Sequence, residues 1–419
     1  MRVLRTYHAG RDPAHRARER APAEAGVVVT LVVPVAWPDA GADRVLSREP
    51  FTVVELPVAC TGDVNRHTYT ADLAAVVRQA QPDLVDIHEE PLSLACRQWL
   101  AAAGPIPCVA YTAQNVDKRC PPPFARYERL AHAQLAGVYA CSRQAASVTR
   151  GKGFSGHLQV IPLGHDRGWH SQRPAESSPG RLLLVGRLVP EKGVLDAIEV
   201  LAQVRRHHDV RKRPVGNGPA VIPALARAAA LGVAGAIEHL PWLSAADLAR
   251  EYEAAAVVLA PSRATHTWVE QFGRVLIEAH AYRTPVAGYA SGAIPEVAGA
   301  GAALVPEGDV AALSALTLRL LEEPEYRAAV VAAGSAATEG RSWSAVACAQ
   351  IAFYREAQET PAPRPHRRPV ANRQGAQAEF GPPARLAGGS ARPFALPILR
   401  RDTAAVRAVA RTLDAVARR

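Results

Sequence analysis

Residues 268–280 read WVEQFGRVLIEAH, and two glutamates in it, Glu270 and Glu278, stand eight positions apart around an apolar run. In a helix, eight residues rise about 12 Å and leave two side chains roughly 80° apart around the axis. The pair is too distant to share one cation and too skewed to hold one metal ion. Glu278 lies in a stretch that is apolar all round, so its helix is expected to be buried. A buried carboxylate needs a cation, a helix N-terminus or the hydroxyls of a ligand. One answer is local: Arg274, four positions earlier, can pair with Glu278 on the same helix. The other answer uses the helix start. Phe272, Gly273, Arg274 and Val275 fall in the first turn, where backbone N–H groups have no partner inside the helix, and Gly273 lets another group approach closely. Such an end binds phosphate. A carboxylate ahead of it and one on the second turn would then take hydroxyls on either side of a diphosphate, which is the outline of a nucleotide sugar. Both answers stay open on these residues alone.

Upstream, residues 182–193 read LLLVGRLVPEKG. An apolar strand ends at Gly186, and Arg187 and Lys192 flank a loop closed by Gly193 ahead of a helix. Two cations at the carboxyl end of a strand suit a diphosphate. They equally suit an ordinary surface loop between strand and helix.

The same alternation of short β-branched runs and helical patterns fills the chain, which argues α/β with parallel sheets. In the first half strands are expected at 3–7, 27–33, 51–56, 84–87, 108–112 and 137–141, with helices such as 72–80 and 127–136 between them. In the second half strands are expected at 181–186, 236–240, 256–260, 285–289 and 302–305, around helices at 194–207, 220–232 and 275–283. That makes two doubly wound units in 419 residues, a length that suits two domains. The link between them is the Gly-, Pro- and Ser-rich run 161–180. The expected division is 1–164, 165–340, a helix at 341–358, and a tail at 359–419. The tail is Pro- and Arg-rich without periodicity, so disorder is expected up to about 399. An amphipathic helix is expected over 402–417, with Val406, Val409, Leu413 and Val416 on one face.

Composition narrows the class further. The net charge of +10 is concentrated in the tail, where twelve Arg face four acids, so the body is close to neutral and no nucleic-acid partner is expected. The longest apolar run, 27–36, is half a membrane span and contains Pro34. The N-terminus turns polar within eight residues, unlike a signal peptide. Six scattered cysteines form no CxxC and no Cys/His cluster, so a reduced, cytoplasmic protein without a zinc site is expected.

Taken together, these stretches resemble family 4 glycosyltransferases, retaining enzymes of the GT-B fold, over most of residues 1–357. GRLVPEKG (186–193) resembles that family's GR-x-x-x-E-K-G run. Residues 260–299, APSRATHTWVEQFGRVLIEAHAYRTPVAGYASGAIPEVAG, are similar to its PSR…E-x7-E…G-x-x-P-E-V block. VDIHEEPLSL (85–94) resembles its active-site histidine loop, and SWSAVACAQIAFYRE (342–356) its helix crossing back to the first domain. The resemblance implies two facing Rossmann-like domains and transfer of a sugar from a nucleoside-diphosphate sugar, with retention and no metal or cofactor. It implies that Glu270 holds donor-sugar hydroxyls, Glu278 holds the ribose, and Arg187 and Lys192 neutralise the leaving diphosphate beside Gly186. The amides at Phe272, Gly273 and Arg274, with Val275, would assist, and His88 would line the acceptor side of the donor sugar. The acceptor (glycan, lipid or small molecule) is left open, as is a weak peripheral contact of the tail with the inner face of an anionic membrane.

The chain departs from the family in four places. YHAGRDPAHR (7–16) offers only Gly10 where a Gly-Gly loop is usual. Tyr282 and Arg283 replace a small residue and a glycine. The strand expected before GNGP (216–219) reads DVRKRPV. The tail has no counterpart. The departures at Tyr282–Arg283 and 210–215 motivate one alternative, a catalytically silent homologue acting as a binding or scaffold protein; a second, a GT-B epimerase or phosphorylase, stays open because the fold alone does not separate these activities.

Overall fold

The computed structural model describes residues 1–38, 48–118, 120–165, 180–241 and 243–359. The first half carries β1 (Arg2–Thr6), α1 (Ala17–Glu24), β2 (Val28–Pro34), β3 (Thr52–Leu56) and a short hairpin of β4 (Val58–Ala59) and β5 (Thr68–Tyr69). Then follow α2 (Leu73–Ala80), β6 (Leu84–Ile87), α3 (Leu94–Ala103), β7 (Cys108–Thr112), α4 (Phe124–His132), β8 (Gly137–Ala140), α5 (Arg143–Gly151) and β9 (His157–Val160). Seven of these strands form one parallel sheet in the order β3-β2-β1-β6-β7-β8-β9.

The second half carries β10 (Arg181–Val185), α6 (Val194–Val204), β11 (Arg211–Val215), α7 (Val221–Ala230), α8 (Ala245–Ala254), β12 (Val257–Ala260) and α9 (Arg274–Ala281). It continues through β13 (Val286–Tyr289), α10 (Ile294–Ala298), β14 (Ala302–Val305), α11 (Val310–Glu322) and α12 (Pro324–Thr338). Its parallel sheet runs β11-β10-β12-β13-β14. Central strands such as β6, β8, β12 and β13 are buried along their whole length, as expected where helices cover both faces of a parallel sheet. Side-chain oxygens of Asp72, Ser93, Ser142, Ser244 and Asp309 cap α2, α3, α5, α8 and α11.

The chain then returns to the first domain as α13 (Trp343–Glu359). Val346, Phe353, Tyr354 and Ala357 of this helix are buried with Val3, Val29, Leu84 and Tyr139 of the first sheet. The fit is close: a Cβ on Gly137 would lie 2.8 Å from Phe353 Cζ. The two passages between domains lie side by side. His165 N–H donates to Arg341 O (3.0 Å), and Trp343 N–H donates to His165 O (3.1 Å).

Three expectations need comment. The strand expected at 236–240 is a short 3-10 turn over Ala234–Ala236 followed by two isolated bridges to β11. Glu238 and Leu240 donate to Lys212 O and Pro214 O, and Gly216 donates to Leu240 O. Between them the ladder needs an N–H from residue 214, and proline has none. The polar DVRKRPV run does form β11, with Arg211–Val215 paired to β10 along its length. Lys212 is fully buried there, and its Nζ has no hydrogen-bond partner among the described residues. Burial alone pushes the Lys212 ammonium down to about 7. Finally, Arg283 sits at φ +56°, in the left-handed region, which explains the glycine usual at that point. Tyr282 is buried and stacks on Tyr252 (5.6 Å, 5°). The expected disordered run and the helix at 402–417 lie outside the described residues, as does most of the 161–180 link. Among the described residues no helix is long and apolar enough to cross a membrane.

Candidate functional site

Parallel sheets gather the ends of their strands on one edge, and every residue singled out from the sequence falls on that edge of its own sheet or on the helix that follows it. Thr6 of β1 lies beside Ile87 of β6, so Tyr7 and His88 emerge together. His88 is buried, stacked on Tyr111 (4.1 Å, 21°) and edge-on to Tyr7 (4.4 Å, 78°). Its Nδ1 is 2.6 Å from Arg5 Nη2 and 2.8 Å from the Tyr139 hydroxyl. Burial, helped by the neighbouring Arg5, Arg18 and His8, holds the imidazole well below its usual titration range.

On the second domain, Lys192 and Glu270 meet directly, Nζ to Oε2 at 2.5 Å. Ser262 O–H donates to the same oxygen at 2.9 Å, and Lys192 Nζ also sits 5.2 Å over the Trp268 ring. Gly193 makes the approach possible. At φ +63° a Cβ there would lie 1.9 Å from Pro261 O, so the loop carrying Lys192 closes onto β12 only with glycine. Gly292 does the same behind Glu270, where a Cβ would lie 2.3 Å from Glu270 O. That carbonyl accepts from Ala293 N–H (3.0 Å) and, across the cleft, from Asn115 Nδ2 (2.7 Å).

Helix α9 begins at Arg274 with Gly273 (φ +80°) as its N-cap and no side-chain cap, so Gly273, Arg274 and Val275 belong to an uncapped first turn, whereas Phe272, expected in that turn, stands one residue ahead of the cap. Glu278 on its second turn is buried and has two partners. Arg274 Nε lies 2.9 Å from Oε1, and Tyr252 O–H donates to Oε2 at 2.6 Å. The local Arg274–Glu278 pair read from the sequence is therefore present. Gly186 and Arg187 follow β10; Arg187 is exposed and makes no ion pair with either glutamate. A cavity of about 70 Å³ lies between the domains, lined by Tyr7, His15, Arg18 and His88 on one side and Arg274 on the other, with Trp343 of α13. It brings His88 and the start of α9 to one place. Among the described residues no grouping of three or more His, Cys, Asp or Glu is placed to hold a metal ion.

Sequence reasoning did not single out Asn115, Ser262, Tyr252, Trp268 or Arg5. Ser262 and Trp268 lie inside the quoted 260–299 block and were within reach. Asn115 in the loop after β7, Tyr252 on α8 and Arg5 on β1 are remote in sequence and carry no local signal.

Two Rossmann-like domains joined by a helix that crosses back make the GT-B fold. Residues 19–168 match Glycosyltransferase Family 4 and residues 167–336 match Glycosyl transferases group 1, and the chain belongs to this family. It is 31% identical over 204 residues to the MMP alpha-(1->4)-mannosyltransferase of Mycolicibacterium hassiacum, covering 48% of each chain. It is also 31% identical over 188 residues to the D-inositol 3-phosphate glycosyltransferase of Frankia alni, covering 42% of this chain and 45% of that one. The chain thus spans about half the length of the curated relatives it matches. Among solved structures, Anabaena HepE in complex with UDP-glucose superposes with a TM-score of 0.67 at 20% identity, over 85% of this chain and all of that one. The sucrose-phosphate synthase of Thermosynechococcus elongatus gives 0.66 at 19% identity, over 85% and 98%. At these identities the structures speak for the fold.

Proposed function

We propose that this protein transfers a glycosyl group from a nucleoside-diphosphate sugar to a hydroxyl of a glycan, lipid or small molecule, with retention at the anomeric carbon. The observation that carries this reading is Glu270, fixed by Lys192, Ser262 and Asn115 immediately ahead of an uncapped helix start that faces His88 across the cleft. The diphosphate would lie on the first-turn amides of α9, with Lys192 and Arg187 closing over it. Charge that develops on the leaving oxygen is then met by groups already in position. Glu270 would hold hydroxyls of the transferring sugar, and Glu278, steadied by Arg274 and Tyr252, those of the ribose. The acceptor oxygen attacks on the face from which the diphosphate departs. The bond from the anomeric carbon to phosphate oxygen breaks, and the acceptor's proton passes to that phosphate oxygen.

The silent-homologue alternative rests on the Tyr282–Arg283 and 210–215 departures. Tyr282 stacks on the tyrosine that holds Glu278, and β11 is paired along its whole length, so neither departure dismantles the site. The test is a panel of UDP- and GDP-sugars, followed by calorimetry and by release of the nucleoside diphosphate. We expect binding and turnover that survive EDTA. Binding without any turnover across hydroxyl acceptors would return the silent reading, and a strict need for Mg²⁺ or Mn²⁺ would overturn the charge scheme.

A further inference from the structure

A buried arginine on β1 makes a contact that the reaction outlined above does not use. Arg5 points its Nη2 at His88 Nδ1 from 2.6 Å. A guanidinium has five N–H donors and no acceptor. Nδ1 must therefore present its lone pair, and the proton of a neutral ring sits on Nε2. The Tyr139 hydroxyl, 2.8 Å from the same Nδ1, either donates to it or donates to Asp86 (2.9 and 3.1 Å). Neither choice places a proton on Nδ1 while Arg5 is there.

We propose that Arg5 is a positioning residue that fixes His88 as the neutral Nε2–H tautomer, so that His88 serves sugar transfer as a hydrogen-bond donor and not as a base. This rests on the reading of His88 as a group beside the donor sugar.

Arg5 has no freedom to turn away. Its Nε is 2.9 Å from Glu19 Oε1 on α1, and its Nη1 is 3.3 Å from Asp86 Oδ2 on β6. All three side chains are almost completely buried. Tyr354 of α13 donates its hydroxyl to Asp86 Oδ2, so the crossing helix closes the network from behind. The surroundings oppose a second proton on the ring. Arg5 meets it from β1, Arg18 from α1, and Arg274 lines the same cavity from α9. Tyr111 stacks on the ring and Tyr7 meets it edge-on, and His8 follows β1 nearby. Asp86 and Glu19 are engaged by Arg5 itself, the buried Glu89 is engaged by His8, and His15 lines the same cavity. An imidazole held this way offers one N–H, at fixed orientation, at a cavity it shares with the start of α9.

The tautomer is read on the unmodified full-length protein labelled with ¹⁵N-histidine, by long-range ¹H–¹⁵N correlation, with His88→Gln used to assign the signal. We expect an Nε2–H ring without titration between roughly pH 5.5 and 8.5, where an ordinary histidine changes charge. An imidazolium, or a proton on Nδ1, within that range would overturn the proposal. The donor role is read by kinetics. His88→Gln keeps an N–H near the Nε2 position and should lose about tenfold in kcat, against about a hundredfold or more for His88→Leu. Equal losses would overturn it. Arg5→Lys keeps a cation beside Asp86 and Glu19 but loses the planar fork. Because burial and a neighbouring cation remain, the ring should stay neutral, but its tautomer is no longer fixed: Nδ1–H should become populated and kcat should fall about tenfold, with the donor KM little changed; an unaltered tautomer would overturn the proposal. If Arg5→Lys does not fold, the spectrum of the parent still decides. A parent that turns over no nucleotide sugar would remove the transfer reading, whereas the tautomer would still be measured.

Discussion

Glu278 has both carboxylate oxygens engaged before any ligand arrives, one by Arg274 and one by Tyr252. The two readings of the E-x7-E spacing are thus not rivals: the helical pair orients the carboxylate that the ribose would use. Glu270 differs, since Lys192 and Ser262 converge on Oε2 while Asn115 holds its backbone. Ribose contacts are the same in ground and transition states, whereas contacts to the reacting sugar need not be. Glu278→Ala should therefore weaken donor binding, while Glu270→Ala should mainly remove turnover. The first variant also strands the buried Tyr252 hydroxyl, at a stability cost of about 1–3 kcal/mol, so Glu278→Gln is the cleaner comparison. Donor affinity by calorimetry and kcat on each variant decide it; normal turnover in Glu270→Ala would defeat the assignment. At this scale the sequence was informative wherever partners are neighbours. Arg274 and Glu278 stand one helical turn apart and were readable as a pair. Tyr252 lies on α8, and only the fold brings it to Glu278.

Among the elements, β11 shows what pattern reading misses. RKRPV contains neither the β-branched run nor the alternation that marked β10, β12 and β13, yet Leu182–Val185 impose a partner on it. Edge position makes this tolerable, because Pro214 faces no inner neighbour that requires its missing N–H. Lys212 bears the cost. Its folded-state value of about 7 lies below the 10.5 of the unfolded chain. As pH falls from 10.5 towards 7 the unfolded chain gains a proton that the folded one refuses, so stability declines through that window. Lys212→Met removes this dependence. We expect the variant to be more stable than the parent at pH 7, and the gap to narrow by about 2–3 kcal/mol at pH 9, at about 1.4 kcal/mol per pH unit. Urea unfolding at both pH values measures it. A gap that does not change with pH would mean that Lys212 reaches water or an anion in solution.

For the whole molecule, two doubly wound units and a returning helix were legible because helices and strands alternate with the right lengths. The registration of one unit against the other was not. It depends on single contacts such as Asn115 on Glu270 O and Arg143 N–H on Glu296 Oε1 (2.7 Å), which join positions more than 150 residues apart. The joint itself is narrower than the two domains suggest. His165 is hydrogen-bonded to Arg341 and to Trp343, so the outgoing and returning strands touch where they leave the first domain. In topological terms the second domain is an insertion, placed between two adjacent positions of a first domain that owns α13. Excising 166–341 and joining 165 to 342 should therefore leave one closed folding unit, whereas residues 1–165 alone would expose the apolar bed of Phe353 and Tyr354 and leave Asp86 without the Tyr354 hydroxyl. A cooperative melt for the spliced chain, and none for the bare fragment, is the expected pair of results; the reverse would mean that the helix is borrowed and not owned.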